Sequence, residues 1–313
     1  MHEVSGAPGE QAETSLLAAL SQELAEAVER AARAVVEVQA RQRLPGSGVL
    51  WSADGLVVTA DHVIEREEDI TIGLPDEREV PARLVGRDPG SDLAVLRIDP
   101  PGLPAAEFGN PAAVRVGHLV LAVARPGTGA PMATAGIVSA VDGVVRTWRG
   151  GLIEGLIRAD VTLYPGFSGG ALADTAGRIL GIATSGLSRG VSLALPVPVV
   201  NSTVQALLAH GRVQRAYLGV SSYPVPLPAP LVQRLGLQQG SGLLIVAVEP
   251  GSPAEQGGLL LGDIIISFGG QPTREPGDLQ MALGPGRAGV ATPVTIIRGG
   301  ERRELTITPG VRR

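Results

Sequence analysis

The sequence predicts a mainly β chain that forms two domains behind a short N-terminal helix. At 313 residues it is too long for one small domain. Hydrophobic residues make up 44% and charged residues 18%, which is enough apolar material for a sizeable core. Aromatic residues are only 3%, while there are 43 Gly and 25 Pro. A core of Val, Leu, Ile and Ala between many turns favours short strands over long helices.

The N-terminal segment divides into a tail and a helix. Residues 1–13 are polar and acidic and are predicted to be disordered. Residues 15–33 are predicted to be a helix, with Thr14 or Ser15 as its N-cap. The helical stripe recurs every four residues, at Leu16, Leu20, Leu24 and Val28. Such a stripe either packs on the domain surface or forms an oligomer contact.

From Val35 onward, short apolar runs alternate with Gly, Pro and Asp, a spacing that suits an all-β barrel or sandwich. A helix stopped by Gly211 ends this region, and a second β-rich unit starts at residues 217–220. Two short helices are predicted in that unit, near residues 231–237 and 278–284. The predicted organisation is a tail and helix, a first domain and a second domain, over residues 1–33, 34–211 and 214–310.

Composition excludes several kinds of protein. There are no cysteines, so disulfides, thiol catalysis and Cys-ligated zinc are ruled out. The net charge is −5 without a long basic run, which argues against nucleic-acid binding. The sequence contains no run of about 18 apolar residues, so no transmembrane helix is predicted. The N-terminus lacks the features of a signal peptide, so a cytoplasmic protein is expected from the sequence as it stands.

Ser168 is the candidate nucleophile. It lies in the segment Gly166-Phe167-Ser168-Gly169-Gly170. Flanking glycines allow a tight turn that exposes Oγ and directs backbone N–H groups at a developing oxyanion. The motif alone is weak evidence, because it is also compatible with an ordinary hairpin turn.

A histidine and an aspartate complete the candidate set. Of the four histidines, only His62 directly follows a strong predicted strand; the others are His2, His118 and His210. Asp92 precedes an apolar strand. Taken singly, these would be a packed histidine and a turn aspartate. Their order with Ser168 is the chymotrypsin order, whereas an α/β-hydrolase would need His210 as its base and a strand–helix alternation that is missing.

Together these segments resemble the HtrA/Deg proteases. The resemblance is carried by residues 46–64, 92–96, 134–139 and 165–172, and with the second domain it covers roughly residues 34–310. It implies a chymotrypsin-like double β-barrel followed by a PDZ domain, a β-sandwich with two short helices. It also implies that His62, Asp92 and Ser168 form a catalytic triad between the barrels, and that no cofactor or metal is needed.

The resemblance also implies an oxyanion hole and a specificity pocket. The backbone N–H groups of Gly166 and Ser168 would form the oxyanion hole. The pocket residues implied are small or aliphatic, which predicts cleavage after Val, Ala or Leu and not after Lys or Arg. These pocket residues are Leu163, Ala183, Thr184, Ser185 and Leu193. For each of them, packing inside the barrel is an equally good alternative to a role in the pocket.

Phe167 departs from the family pattern, which has Asn or Asp immediately before the serine. The oxyanion loop thereby loses a polar side chain, which predicts low basal activity that rises when the loop is ordered. On this hypothesis Phe167→Asn preserves or raises activity. The alternative is that burial of the Phe167 ring anchors the loop.

In the second domain, residues Tyr217, Leu218, Gly219 and Val220 resemble the carboxylate-binding loop of PDZ domains. Backbone N–H groups around Gly219 would converge on a peptide carboxylate, and the following strand would offer an edge for β-augmentation. The helix at 279–283 would line the groove. The predicted partners are therefore C-terminal peptides.

The predicted function is a serine endopeptidase of protein quality control or regulatory proteolysis, acting on unfolded or peptide substrates. The alternative is a catalytically silent peptide-binding or chaperone-like module on the same fold. The resemblance further suggests a homotrimer and allows a periplasmic location.

Overall fold

The computed structural model describes residues 15–311 apart from 43, 101, 103, 128, 148–151, 189, 214, 215 and 285. The tail predicted over 1–13, and Thr14 as a helix cap, lie outside these residues. The chain divides into two compact units between Leu207 and Leu208.

The first unit opens with helix α1, Leu16–Ala32. Ser15 holds the N-cap position, although its side chain makes no capping hydrogen bond. The buried face of α1 consists of small residues, Ala27, Ala31 and Ala32. Leu16 and Leu17 at the start of the helix remain 84% and 75% exposed, so the predicted apolar stripe is only partly used within the chain.

Two closed six-stranded antiparallel barrels follow. In the first barrel β1 pairs with both β2 and β4, which closes the cylinder in the order β1-β2-β3-β6-β5-β4. Its strands are Val35–Gln39, Gly46–Ser52, Leu56–Ala60, Ile70–Gly73, Glu79–Asp88 and Leu93–Arg97. A 3₁₀ turn, Asp61–Val63, follows β3. Fully buried aliphatic residues such as Val57 and Leu96 fill the interior, and no aromatic residue belongs to this core cluster of the described residues.

The second barrel closes in the order β11-β14-β13-β12-β7-β8. Its strands are β7 Leu119–Ala124, β8 Met132–Val141, β11 Ile157–Asp160, β12 Ala171–Ala173, β13 Ile179–Thr184 and β14 Ser192–Pro196. A small hairpin of β9, Val144–Arg146, and β10, Leu152–Glu154, interrupts the barrel. A short 3₁₀ turn, Pro111–Ala113, precedes β7. Helix α2, Val197–His210, then ends just before Gly211, whose φ is 68°.

The second unit is built on one antiparallel sheet in the order β16-β17-β18-β20-β21. Its strands are β16 Val220–Pro226, β17 Ser241–Val248, β18 Ile264–Phe268, β20 Thr292–Arg298 and β21 Glu301–Ile307. The short strand β19, Gln271–Pro272, pairs with β18, and β15, Ala216–Tyr217, pairs with β22, Gly310–Val311. Among the described strands, β16 pairs with β17 alone and so lies at the edge of the sheet.

Three helices accompany this sheet where two were predicted. Helix α3 covers Ala229–Leu235 and α5 covers Pro276–Ala282, each two residues earlier than the sequence suggested. The additional helix α4, Pro253–Gln256, lies in a segment where the sequence analysis predicted no helix. Ser252 caps it and Pro253 occupies its first position, so local chemistry starts the helix.

Candidate active site

His62 and Asp92 form a close pair in the first barrel. Nδ1 of His62 lies 2.8 Å from Oδ2 and 3.0 Å from Oδ1 of Asp92. The Asp92 side chain is almost fully buried, whereas the His62 ring is 24% exposed. A buried carboxylate on Nδ1 fixes the tautomer in which Nε2 is free to accept a proton. The pair therefore has the arrangement of a general base with its orienting acid.

Local backbone geometry brings these two side chains together. Asp92 has φ +56°, a left-handed conformation that Asp tolerates better than most residues. Its Oδ1 accepts a hydrogen bond from the His62 backbone N–H at 3.1 Å. The 3₁₀ turn that carries His62 is fastened by an ion pair of 2.5 Å between Asp61 and Arg87, and this hydrogen bond raises the pKa of Arg87.

Thr184 supports Asp92 from the second barrel. Its hydroxyl donates to Oδ2 of Asp92 and accepts from the N–H of Gly186 at 2.9 Å. A Cβ added at Gly186 would lie 2.5 Å from both Asp92 Oδ2 and His62 Nδ1, so only glycine fits over the pair. The acid is thus held by groups from both barrels.

Ser168 lies in the turn before β12, with its Oγ 3.0 Å from the Oγ of Ser185 and 3.3 Å from the Ser185 N–H. The hydrogen bonds of the described residues do not include one between Ser168 and His62. The nucleophile must therefore rotate away from Ser185 to meet His62. Long or absent contacts of this kind are common in catalytic groups without a bound substrate.

The two predicted oxyanion donors are both available. A hydrogen bond of 3.0 Å from Phe167 N to Tyr164 O closes a turn with Pro165 and Gly166 at its centre, and Gly166 has φ +87°. This is the residue order of a type II turn, which requires a positive φ at its third position. Among the described residues, the N–H groups of Gly166 and Ser168 have no acceptor. They remain free to bind a developing negative charge.

Ser47 fixes this loop from the first barrel, a role that the sequence analysis missed. Its Oγ donates to the carbonyl oxygen of Gly166 at 2.7 Å and accepts from the backbone N–H of Arg125 at 2.9 Å. Its own N–H donates to Ser168 O at 3.1 Å. Ser47 stands in the Gly-Ser-Gly segment of the family resemblance, and that position was the available signal.

Arg125 is a second residue that no sequence signal indicated. Its buried guanidinium donates to three backbone carbonyl oxygens, those of Ala32, Val35 and Gly129. Burial lowers the pKa of Arg125, and the charge of Glu37 opposes this shift. The residue therefore joins the end of α1 and strand β1 to the base of the oxyanion loop through Ser47.

Phe167 is buried in the core of the second barrel and is only 1% exposed. Its ring makes an edge contact with Tyr164 at a centroid distance of 5.8 Å. An Asn at this apolar position would leave an amide buried, so the burial of Phe167 argues against the expectation that Phe167→Asn preserves or raises activity. Of the two hypotheses, the structure supports the anchoring ring.

Only part of the predicted specificity pocket lines the cavity beside Ser168. The cavity has a volume of about 360 Å³ and includes Leu163 and Ser185. Ala183, Thr184 and Leu193 are not among its lining residues; all three are buried in the barrel, and Thr184 faces Asp92. Because successive side chains of a strand point to opposite faces, Ala183 and Thr184 of β13 lie on different sides of the sheet, and only the Thr184 side is turned to Asp92.

In the second unit, the predicted carboxylate loop has the required backbone. Gly219 has φ +82°, and the N–H groups of Leu218 and Gly219 have no acceptor among the described residues. The carbonyl oxygens of the same two residues are used, by Ala254 N and Glu249 N at 2.8 Å each. The loop is therefore held by its carbonyl oxygens, while these two N–H groups remain available to a ligand.

Two prolines limit the free edge of β16. Leu227 N donates to Gly240 O, so odd-numbered residues of β16 bond to β17 and even-numbered residues face the free edge. Pro224 and Pro226 therefore lie where the missing N–H costs nothing in the sheet. They also remove two donors from the edge that a peptide would use.

The described residues contain no group of three or more His, Asp or Glu side chains that could hold a metal ion. No helix in the described part of the chain is long and apolar enough to cross a membrane.

Comparison with known proteins places both units. Residues 46–182 match the trypsin-like peptidase domain family, and residues 244–298 match the PDZ domain family. A DegP-like periplasmic serine endoprotease of Pseudomonas savastanoi pv. phaseolicola is 37% identical over 270 residues, covering 85% of this chain and 55% of the relative. A DegP-like relative from Marinomonas is 38% identical over 268 residues, covering 84% of this chain and 56% of the relative. The chain spans about half the length of these curated relatives.

Solved structures extend the match. The HtrA-type protease AlgW with a decapeptide superposes with a TM-score of 0.78 at 32% identity, covering 93% of this chain and 99% of AlgW. The serine endoprotease from Yersinia pestis gives a TM-score of 0.76 at 31% identity, with 93% and 98% coverage.

Proposed function

Because this chain belongs to the HtrA family of trypsin-like serine proteases with a PDZ domain, we propose that it hydrolyses peptide bonds in protein substrates with His62, Asp92 and Ser168 as its triad. The observation that carries the proposal is the cavity shared by His62 and Ser168, with the unpaired N–H groups of Gly166 and Ser168 beside it.

The mechanism follows from these positions. His62 Nε2 removes the Ser168 proton, while Asp92 holds the imidazole by Nδ1 and stabilises its charged form. Ser168 Oγ attacks the substrate carbonyl, and the N–H groups of Gly166 and Ser168 stabilise the oxyanion. His62 then gives its proton to the leaving amine, and water hydrolyses the acyl-enzyme.

The test is digestion of casein by the wild type beside Ser168→Ala and His62→Ala. Loss of the nucleophile should lower the rate by about 10⁴ to 10⁶. Ser202→Ala and His210→Ala change the same residue types on α2 and should retain wild-type rates. Near-normal digestion by Ser168→Ala would show that the proposed triad does not catalyse the hydrolysis. No digestion and no fluorophosphonate labelling of the wild type would instead identify a silent peptide-binding module.

Substrate preference is proposed from the uncharged pocket wall. Leu163 and Ser185 line the cavity on the second-barrel side, which supports cleavage after Val, Ala or Leu. Mass spectrometry of casein fragments checks this preference. Dominant cleavage after Lys or Arg would show that the side chain before the scissile bond does not bind against Leu163 and Ser185.

The second unit is proposed to bind peptide C-termini through the N–H groups of residues 218–220. A free carboxylate gains charge-assisted hydrogen bonds that an amide cannot make. Isothermal titration with matched free-acid and amide peptides tests this proposal. Equal affinity for the two forms would show that the loop does not bind the peptide carboxylate. Kinetics of the full chain with the same peptides would show whether binding changes turnover.

We also propose a homotrimer and a periplasmic location. The exposed leucines Leu16, Leu17 and Leu20 on α1 offer an apolar contact surface, and the curated relatives are named periplasmic. Light scattering measures the oligomeric mass, and cell fractionation tests the compartment. A monodisperse monomer would exclude the trimer.

A further inference from the structure

Arg41 brings a positive charge into the cavity beside the nucleophile. The cavity is lined by Arg41, Leu44, Gly46 and Val63 from the first barrel and its neighbouring turn, and by residues 163–166, Ser168 and Ser185 from the second barrel, with His62 between them. No Asp or Glu is among these lining residues. A neutral His62, which the proposed mechanism requires, leaves Arg41 as the charged group of the lining.

The guanidinium of Arg41 is held in place without being neutralised. Nη2 donates to the carbonyl oxygen of His62 at 2.7 Å and Nε donates to that of Val63 at 3.3 Å. Its side chain is 19% exposed. Carbonyl oxygens fix its position but carry no net charge, and Nη1 has no acceptor among the described residues. The group is therefore preorganised to receive a carboxylate.

Among the described residues, the acidic side chain paired with Arg41 is that of Glu65, which is a weak competitor for the guanidinium. Glu65 lies 3.7 Å from Nε, and its side chain is 60% exposed. Ion pairs of this kind contribute little in water and are screened by salt. Glu65 is also not among the residues that line the cavity, so it does not occupy the space that a substrate carboxylate would enter.

The position of Arg41 indicates which half of a substrate it meets. The residue before the scissile bond is proposed to lie against Leu163 and Ser185 on the second barrel. An extended peptide that crosses Ser168 must then place its leaving-group half on the opposite wall, which Arg41, Leu44 and Val63 form. Acidic side chains just after the scissile bond are thus the ones within reach of Nη1.

We propose that Arg41 is a specificity-determining residue that favours Asp or Glu among the first three residues after the scissile bond. The inference rests on the proposed protease function and deepens it by naming a substrate class. A partly exposed charge pair should change kcat/KM by about twofold to fivefold between acidic and neutral side chains. The preference should weaken as salt is added.

The experiment uses fluorogenic peptides with Val before the scissile bond and Glu, Gln or Lys at the first, second or third position after it. The wild type should cleave them in the order Glu, Gln, Lys at one position or more. Arg41→Gln should bring the three rates together, and Arg41→Glu should reverse their order. Arg66→Gln is the matched control, because Arg66 donates to Gln39 O and is not among the cavity-lining residues.

Ratios separate specificity from folding, since a structural defect in Arg41→Gln lowers all three rates equally. Equal rates for Glu, Gln and Lys peptides with the wild type, or an unchanged Glu preference in Arg41→Gln, would overturn the inference. Failure of the proposed function is a different result: no peptide would be cleaved faster by the wild type than by Ser168→Ala.

Discussion

The Oγ atom of Ser47 donates a hydrogen bond of 2.7 Å to the carbonyl oxygen of Gly166. One residue belongs to strand β2 of the first barrel and the other to the loop before β12 of the second. The bond fixes the peptide plane between Gly166 and Phe167, whose N–H is held by Tyr164 O. The first barrel thereby orients the two N–H groups that are proposed to bind the oxyanion.

Ser47→Ala should lower kcat by about tenfold with little change in KM, because a tilted oxyanion hole weakens transition-state binding more than substrate binding. Losing the hydroxyl also leaves Gly166 O and Arg125 N–H without a partner, at a cost of about 1–3 kcal/mol each. Steady-state kinetics and urea unfolding measure the two effects. Ser267→Ala is the control, since it removes a hydroxyl bonded to Thr295 in the second unit. A wild-type kcat in Ser47→Ala would show that the hydrogen bond from Ser47 to Gly166 does not orient the oxyanion hole.

Phe167→Asn should destabilise the first unit by about 3–5 kcal/mol and reduce turnover, because it empties a core site and buries an amide. Phe167→Leu keeps the site apolar and should lose much less. Phe108→Asn is the matched control, since Phe108 is 38% exposed. Thermal unfolding and casein digestion report on both quantities. A Phe167→Asn protein as stable and active as the wild type would show that the ring does not anchor the loop.

Peptides longer than about four residues should gain no affinity for the second unit. Antiparallel pairing on β16 offers complete hydrogen-bonding positions at Val220 and Ser222, while Pro224 and Pro226 have no N–H to donate. In the full chain carrying Ser168→Ala, free-acid peptides of three and seven residues should therefore bind within about twofold of each other.

Pro224→Val restores one donor and should improve binding of peptides of five or more residues by about threefold to tenfold. Pro226→Val alone restores a donor one position too far along and should leave five-residue peptides unaffected. Fluorescence polarisation gives the affinities. If affinity increases steadily with peptide length in the protein that retains both prolines, the longer peptides bind through side-chain contacts and not through backbone pairing with β16.

Glu37 predicts a pH dependence of stability. It is 2% exposed, Oε1 accepts from Gln39 at 3.0 Å, and Oε2 has no hydrogen-bond partner. Burial, opposed by that hydrogen bond, raises the pKa of Glu37 above 4.5. The folded state then holds a proton that the unfolded state has released, so this contribution to stability falls as pH rises from about 4.5 through the raised folded pKa.

Glu37→Gln should be more stable than the wild type near pH 8, by about 1 kcal/mol, and this advantage should shrink toward pH 4. Urea unfolding followed by tryptophan fluorescence measures it, because Trp51 lies in strand β2 of the first unit. Glu301→Gln, an exposed position, should show no such trend. If the difference in unfolding free energy between Glu37→Gln and the wild type stays constant with pH, the effect comes from packing and not from ionisation.

The sequence by itself determined the fold class and the order of the candidate triad. Alternating apolar runs between Gly and Pro predict strands from local chemistry, and the order of His62, Asp92 and Ser168 separates the two kinds of serine hydrolase without any coordinates. Helix ends were also readable where a local signal exists, as at Gly211 after α2. These features depend on neighbouring residues, which a sequence displays directly.

Tertiary structure decided everything that depends on contacts between distant residues. The sequence predicts Thr184 as a pocket residue, whereas its hydroxyl donates to Asp92, 92 positions away in the chain. Ser47 and Gly166 are 119 positions apart, and no local pattern relates them. Phe167 looked like a defect in a polar loop, but barrel closure places its ring in an apolar core. The direction in which a side chain points is set by the partner strand, and the chain meets that partner only on folding.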